Sequence, residues 1–91
     1  MLAGRIRTPE GVLYREIAGE SVLLNLGSES YFGLDEVGTR MWAALTTAPS
    51  IEAAYQGLLE EFEVDAETLR SDLSAFIARL AQAGLVAVED A

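Results

Sequence analysis

The sequence predicts a small α+β domain in which three short antiparallel strands precede three helices. Alternating and β-branched apolar runs occupy the first third of the chain, and apolar residues at the helical period occupy the rest. Short turns rich in Gly and Ser separate these segments. The chain has 91 residues, 51% of them hydrophobic, which suits one hydrophobic core. We therefore expect a single domain over residues 12–88, a flexible N-terminal arm over 1–11 and a short tail over 89–91.

Three β-forming runs predict the strands, and the turns AGES and GSES separate them. The predicted strands are Val12–Ile17, Ser21–Leu26 and Ser30–Leu34. In the second strand, Val22, Leu24 and Leu26 share one face at the strand period of two. Connections this short favour an antiparallel three-stranded meander. Near the end of the chain, LVAVE is a candidate closing strand.

Each predicted helix begins at a residue suited to cap it, namely Asp35, Ser50 and Asp65. Gly84 is placed to end the third helix in the left-handed conformation. The apolar stripes are Val37, Met41, Trp42 and Leu45 in the first helix, Ile51, Ala54, Tyr55, Leu58, Leu59 and Phe62 in the second, and Leu69, Leu73, Phe76, Ile77 and Leu80 in the third. Three helices joined by short turns beside a small sheet indicate a winged helix-turn-helix.

The composition restricts the metal sites and catalytic groups that the chain can form, because it contains neither histidine nor cysteine. The usual ligands of zinc, copper, haem and iron–sulfur clusters are therefore missing, as are catalytic triads and thiolates. We predict a protein that is not an enzyme and that has no catalytic residue, metal or cofactor. The apolar runs are too short to span a bilayer, and we expect a cytoplasmic protein.

The formal net charge of −9 comes from 15 acidic residues and six basic residues, all of them arginine. Nucleic-acid affinity depends on neutralising phosphates, so DNA and RNA are poor candidates for a partner. An anionic membrane surface repels the chain for the same reason. A protein or peptide partner remains.

The third predicted strand, SYFGL, lies at an edge of the meander. It carries neither proline nor lysine, which often protect exposed edges, and Gly33 leaves its backbone accessible. An extended peptide can pair with such an edge by β-augmentation. The alternatives are that LVAVE or a helix covers the edge, or that it pairs with its own copy. Tyr31 and Phe32 point to opposite faces, so one belongs to the core and the other is exposed or covered by a helix.

Phe76 lies at one margin of the third helix stripe, between Asp72 and Arg79. This margin is either an ordinary core boundary or the wall of a groove. In the second case Phe76 and Leu69 receive apolar side chains, and Asp72 meets a basic one.

The segments LLNLGSESYFGLDEVGTRMWAAL and SIEAAYQGLLEEFEVDAETLRSDLSAFIARLAQAGLV resemble the PqqD-like family over nearly the whole chain, from Val12 to Val86. The members of that family are the precursor-peptide recognition elements of ribosomally made, post-translationally modified peptides. The residues that carry the resemblance are Tyr31, Leu34, Asp35, Val37-Gly38, Trp42 and the closing Leu80–Val86 segment.

The resemblance implies a winged helix-turn-helix with an N-terminal three-stranded antiparallel sheet. It also implies that a precursor leader peptide adds a strand to the third strand, in the groove against the third helix. The peptide-binding residues carried over are Glu29, Ser30, Tyr31, Phe32, Gly33, Leu69, Asp72, Leu73 and Phe76.

A chain of this size looks most like the separate leader-binding proteins of lasso-peptide pathways. The implied partners are the leader peptide, a leader-cleaving cysteine protease and an ATP-dependent macrolactam cyclase. We expect a monomer. The alternatives are a PqqD-type chaperone that delivers a precursor to a radical enzyme, and a self-associating structural domain.

Overall fold

The computed structural model describes residues 3–90, which form two antiparallel sheets and three helices. The elements are β1 (Arg5–Arg7), β2 (Val12–Ile17), β3 (Glu20–Asn25), β4 (Ser30–Leu34), α1 (Glu36–Thr47), α2 (Ile51–Glu61), α3 (Ala66–Gln82) and β5 (Ala87–Glu89). Strands β2, β3 and β4 form one sheet in that order, and β1 pairs with β5 in a second sheet. The predicted fold class, an N-terminal three-stranded antiparallel sheet followed by three helices, is confirmed.

The β2–β3 hairpin turns through Ala18 and Gly19, which have φ of 55° and 86°. A two-residue type I′ turn needs positive φ at both of these positions. The register then places Tyr14, Leu23 and Phe32 side by side on the face toward the helices, where Leu23 is fully buried. The inward-facing side of the sheet is therefore set by the hairpin.

The opposite face of this sheet is uncovered. Val22 and Leu24 share a face, as the strand period predicts, but it is this outer face, and each is more than a third exposed. Leu13 lies beside Leu24 in β2, and Tyr31 lies beside it in β4. The helices pack only against the side of the sheet that carries Leu23, and they leave the other side exposed.

All three predicted helix caps are confirmed. The carboxylate of Asp35 accepts a hydrogen bond from the Gly38 N–H at 2.8 Å, Ser50 Oγ accepts from Ala53 at 3.0 Å, and Asp65 accepts from Thr68 at 3.1 Å. Gly84 follows α3 with a φ of 75°, as predicted.

The predicted stripes match the core with one clear exception, Val37, which is 51% exposed. Val37 lies in the first turn of α1 and lines an open cleft. The apolar period continues to this position, but no element packs over it.

The N-terminal segment differs from our expectation of a flexible arm over 1–11. Arg5–Arg7 forms β1, which pairs with Ala87–Glu89, so the expected tail also begins inside a strand. Arg5 and Arg7 reach Glu89 at 3.4 and 2.8 Å, and the carbonyl oxygen of Gly4 accepts a hydrogen bond from the Ile51 N–H at 2.9 Å. The ends of the described chain are therefore joined to each other and to α2. Residues 1, 2 and 91 of the expected arm and tail lie outside the described residues.

The core lies between the inner sheet face and the helices. The largest fully buried side chains are Leu23, Leu58, Leu73, Leu80 and Leu85. The rings of Tyr14 and Trp42 stack with centroids 5.8 Å apart, which joins β2 to α1. No helix in residues 3–90 is both long and apolar enough to cross a membrane.

Candidate functional site

An open cleft of about 480 Å³ runs along β4, between that strand, the start of α1 and one side of α3. We call it the β4–α3 groove. Its lining residues are Phe32, Gly33, Leu34, Asp35, Val37, Gly38, Met41, Asp72, Ala75, Phe76 and Arg79.

Strand β4 forms one side of the groove, and its outer edge is unpaired within the described residues. β4 pairs with β3 on its other side, and the closing segment LVAVE contributes β5 to the second sheet. The alternative in which LVAVE covers the β4 edge is therefore not realised. An open edge of this kind offers backbone hydrogen-bonding groups to an incoming strand.

The pairing pattern identifies the backbone groups at the open edge. The Leu26 N–H donates to the Gly11 carbonyl oxygen at 2.9 Å, so these opposed residues form a hydrogen-bonded pair. Such pairs alternate along antiparallel strands, so the backbone groups of Leu24 and Val22 also bond toward β2. The residues of β3 between and beside them bond in the other direction, toward β4, and these are Ser21, Leu23 and Asn25.

Their partners in β4 are Leu34, Phe32 and Ser30. The N–H and C=O groups of Tyr31 and Gly33 consequently point away from the sheet. These two residues provide the groups that an added strand would bond.

The α3 wall is one face of a helix. Asp72, Ala75, Phe76 and Arg79 follow the i, i+3, i+4, i+7 spacing that places residues on one side. Phe76 is only 3% exposed and forms the apolar base of this wall. Asp72 and Arg79 are exposed at its two ends.

The two walls meet where Arg79 lies above Phe32. The guanidinium carbon is 5.9 Å from the ring centroid, which is within the range of a cation–π contact. This contact holds the Arg79 head group over the β4 side of the groove.

The first turn of α1 closes one end of the groove. Asp35 directly follows β4 and caps α1 through the Gly38 N–H, so no connecting loop fills the space between strand and helix. Val37 and Met41 add apolar surface beside Leu34. The direct passage from strand to helix therefore places apolar surface beside the Asp35 carboxylate at this end of the groove.

Four of the nine predicted site residues meet in this groove, namely Phe32, Gly33, Asp72 and Phe76. Tyr31 lies on the opposite face of the sheet with 77% of its surface exposed, although its backbone faces the open edge. Glu29, in the turn before β4, and Ser30, its first residue, are exposed and outside the lining. Leu69 and Leu73 are buried in the core.

Seven lining residues were not among the predicted site residues. They are Leu34, Asp35, Val37, Gly38, Met41, Ala75 and Arg79. Ala75 and Arg79 could have been predicted from the sequence, because each lies three residues after a predicted site residue, Asp72 or Phe76, and so on the same face of α3. The contribution of α1 depends on how strand and helix pack, which the local pattern does not specify.

A family model described as coenzyme PQQ synthesis protein D (PqqD) matches residues 20–86, well over half of the chain. The chain belongs to the PqqD family. The match begins at the start of β3 and ends beyond α3, so it includes every residue that lines the β4–α3 groove. The resemblance of the sequence to PqqD-like proteins is confirmed.

Two solved structures have the same fold as this PqqD-family chain. TbiB1 in complex with the TbiA(beta) leader peptide matches with a TM-score of 0.82 and 35% identity, over 88% of this chain and 93% of that chain. A lasso peptide synthetase B1 complexed with the leader peptide matches with a TM-score of 0.81 and 22% identity, over 91% and 98%. A comparison with curated proteins found no match.

Proposed function

We propose that this PqqD-family chain is a non-enzymatic adaptor of lasso-peptide biosynthesis, which captures the leader of a precursor peptide and presents it to a leader peptidase. The observation that carries the proposal is the open β4 edge beside an apolar groove. The likeness to TbiB1, whose structure contains a leader peptide, supports it.

Strand addition to β4 supplies the general affinity. An extended leader bonds to the N–H and C=O groups of Tyr31 and Gly33 and becomes the fourth strand of the sheet. Its side chains alternate between the two faces, so every second residue enters the groove. Apolar leader residues then pack against Phe76, Met41 and Val37, which line the same space.

The groove is suited to binding rather than to chemistry. Its ionisable side chains are Asp35, Asp72 and Arg79, and a carboxylate oxygen of Asp35 already caps α1. No group in this set pairs a nucleophile with a base. The adaptor therefore acts by raising the local concentration of the leader at its partner, which lowers the apparent KM of the partner.

The proposed partners are the precursor leader, a leader-cleaving cysteine protease and, downstream, an ATP-dependent macrolactam cyclase. We place the adaptor in the cytoplasm as a monomer. The outer sheet face, with exposed Leu13, Leu24 and Tyr31, is a candidate surface for the protease. That surface adjoins the β4 edge, so a protein bound there lies beside the captured leader.

An NMR titration tests the proposal. The ¹⁵N-labelled chain is titrated with a synthetic leader from any small open reading frame that is found beside its gene. We expect large, saturable shifts of the Tyr31 and Gly33 amides and of the α3 amides from Asp72 to Arg79. Shifts elsewhere only, or none at high peptide excess with the fold intact, contradict leader capture at β4.

Two further measurements separate the alternatives. A self-associating domain increases in size with concentration in analytical ultracentrifugation without any peptide, whereas the adaptor remains monomeric. Addition of the adaptor to the purified protease with full-length precursor accelerates leader removal if the lasso-type partner is right. A chaperone for a radical enzyme leaves that rate unchanged.

A further inference from the structure

The β4–α3 groove has opposite charges at its two ends. Asp72 lies toward the N-terminal end of the α3 wall and Arg79 lies two helical turns later, which is about 10.5 Å along the axis. Both are exposed, and neither is in an ion pair among residues 3–90. The apolar surface of Phe76 and Ala75 lies between them.

The neighbouring elements place these two charges at different positions along β4, Arg79 over its middle and Asp72 toward its end. Arg79 lies over Phe32, in the middle of β4. Asn25, which pairs with Ser30, bonds Gly84, just after α3. The C-terminal part of α3 therefore accompanies the start of β4. Asp72 then lies toward Leu34 and Asp35, and the Asp35 carboxylate adds negative charge at that end.

The direction in which an added strand pairs with β4 decides which of its ends meets each charge. The pairs β2–β3 and β3–β4 are antiparallel, and antiparallel pairing is also the slightly more stable arrangement. An antiparallel leader runs from the Leu34 end of β4 toward the Ser30 end. Its N-terminal part therefore meets Asp72, and its C-terminal part meets Arg79.

We infer that the groove selects leaders with a cationic residue, an apolar residue and an anionic residue at successive groove-facing positions, in that order from the N-terminus. This inference rests on the proposed function. Only alternate residues of a strand face the groove, so these positions are two residues apart. The first and third of these leader positions are then about 13.6 Å apart along the strand. Asp72 and Arg79 are about 10.5 Å apart along α3, and flexible charged side chains can make up the difference between the two distances.

The inference is tested with a charge-reversed protein. An mRNA-display library of random twelve-residue peptides is selected separately on the immobilised wild-type chain and on a double variant, Asp72→Arg with Arg79→Asp. Both positions are exposed, so the variant is expected to fold. Wild-type selection should enrich the order cation, apolar, anion, and selection on the variant should enrich anion, apolar, cation.

Affinities of synthetic peptides make the result quantitative. A peptide enriched on the wild type should bind the double variant about tenfold more weakly, and a peptide with its two charges exchanged should restore affinity. The difference should shrink in 1 M salt, where the screening length is about 3 Å. Equal charge preferences on both proteins, or the opposite order on the wild type, overturn the inference.

The failure of the proposed function looks different. In that case no peptide is enriched, or the enriched peptides leave the Tyr31 and Gly33 amides unshifted in NMR spectra of the wild type. Either result refutes both the proposed function and the inference that rests on it. Enriched peptides that do shift these amides but share only an apolar residue leave strand addition intact. They refute the charge order alone.

Discussion

The side-chain amide of Asn25 donates a hydrogen bond to the carbonyl oxygen of Gly84 at 3.2 Å. The side-chain oxygen of Asn25 accepts from the N–H groups of Gly27 and Ser28 at 3.0 and 3.2 Å. One residue thus joins the β3–β4 loop to the turn that follows α3. Because β4 and α3 are the two long walls of the groove, Asn25 fixes their separation at one end.

Asn25→Asp should lower leader affinity severalfold, because it keeps the loop bonds but places a carboxylate against the Gly84 carbonyl. The free energy of unfolding should fall by about 1 kcal/mol, the usual worth of one hydrogen bond. Asn25→Ala, which removes all three bonds, should weaken binding at least as much. Calorimetric titration with the leader and urea unfolding measure the two effects. Unchanged affinity in a destabilised Asn25→Asp protein would limit Asn25 to a role in stability.

Tyr31→Pro should weaken leader binding by about 1 kcal/mol, or about fivefold, because it removes a donor from the open edge of β4. Proline is tolerated where the N–H of an edge strand faces solvent. The matched control is Tyr31→Ala, which removes the ring and keeps the N–H. Equal losses for the two variants in fluorescence-anisotropy titrations would mean that the ring, not the backbone, binds the leader.

The same pairing geometry predicts a different effect for proline at the next position of β4. A proline at Phe32 removes a bond to Leu23 inside the sheet, since the two residues form a hydrogen-bonded pair. We expect that change to damage the fold and not to report on the edge. Circular dichroism of Phe32→Pro, compared with Tyr31→Pro, checks this difference.

Ala75→Phe should block the groove without disturbing the core, because Ala75 is exposed on α3 and lines the cleft. We expect at least a tenfold loss of leader affinity and a nearly unchanged melting temperature. Ala78→Phe is the matched control, since it places the same ring on an exposed position of α3 outside the lining. A similar loss for both variants would indicate a general effect on the helix and not a blocked groove.

The fold was largely predictable because its signals are local. Asp35, Ser50 and Asp65 each bond a backbone N–H three residues ahead, so a short sequence window is enough to identify each helix start. The pairing of Arg5–Arg7 with Ala87–Glu89 has no such signal. It joins segments separated by most of the chain, and two three-residue strands are too short for a periodic pattern.

The groove was predictable in part, since the edge strand and the α3 margin both follow from periodicity. Leu73 and Phe76 belong to the same stripe, yet Leu73 is enclosed by the core and Phe76 also borders the groove. Which stripe residue reaches the margin depends on how α3 is rotated against β4. That rotation depends on tertiary packing, because the stripe of α3 lies in the common core and Arg79 contacts Phe32 across the groove.

The ion pair between Arg40 and Glu61 predicts a pH dependence of stability. Two hydrogen bonds of 2.6 Å join these residues across α1 and α2, and hydrogen bonding by Arg40 lowers the pKa of the Glu61 carboxyl. A carboxyl whose pKa is lower in the folded chain stabilises the fold above its unfolded pKa, near 4.3, and loses that contribution as pH falls through the folded value. Glu61→Gln should therefore be slightly less stable than wild type at pH 7 and should lose this disadvantage at acid pH.

Glu60→Gln, the control on the same helix, removes one negative charge without touching the pair. Urea unfolding of the three proteins from pH 7 to pH 3 measures the effect, and a wild-type advantage over Glu61→Gln that persists at the acid end would contradict the assignment.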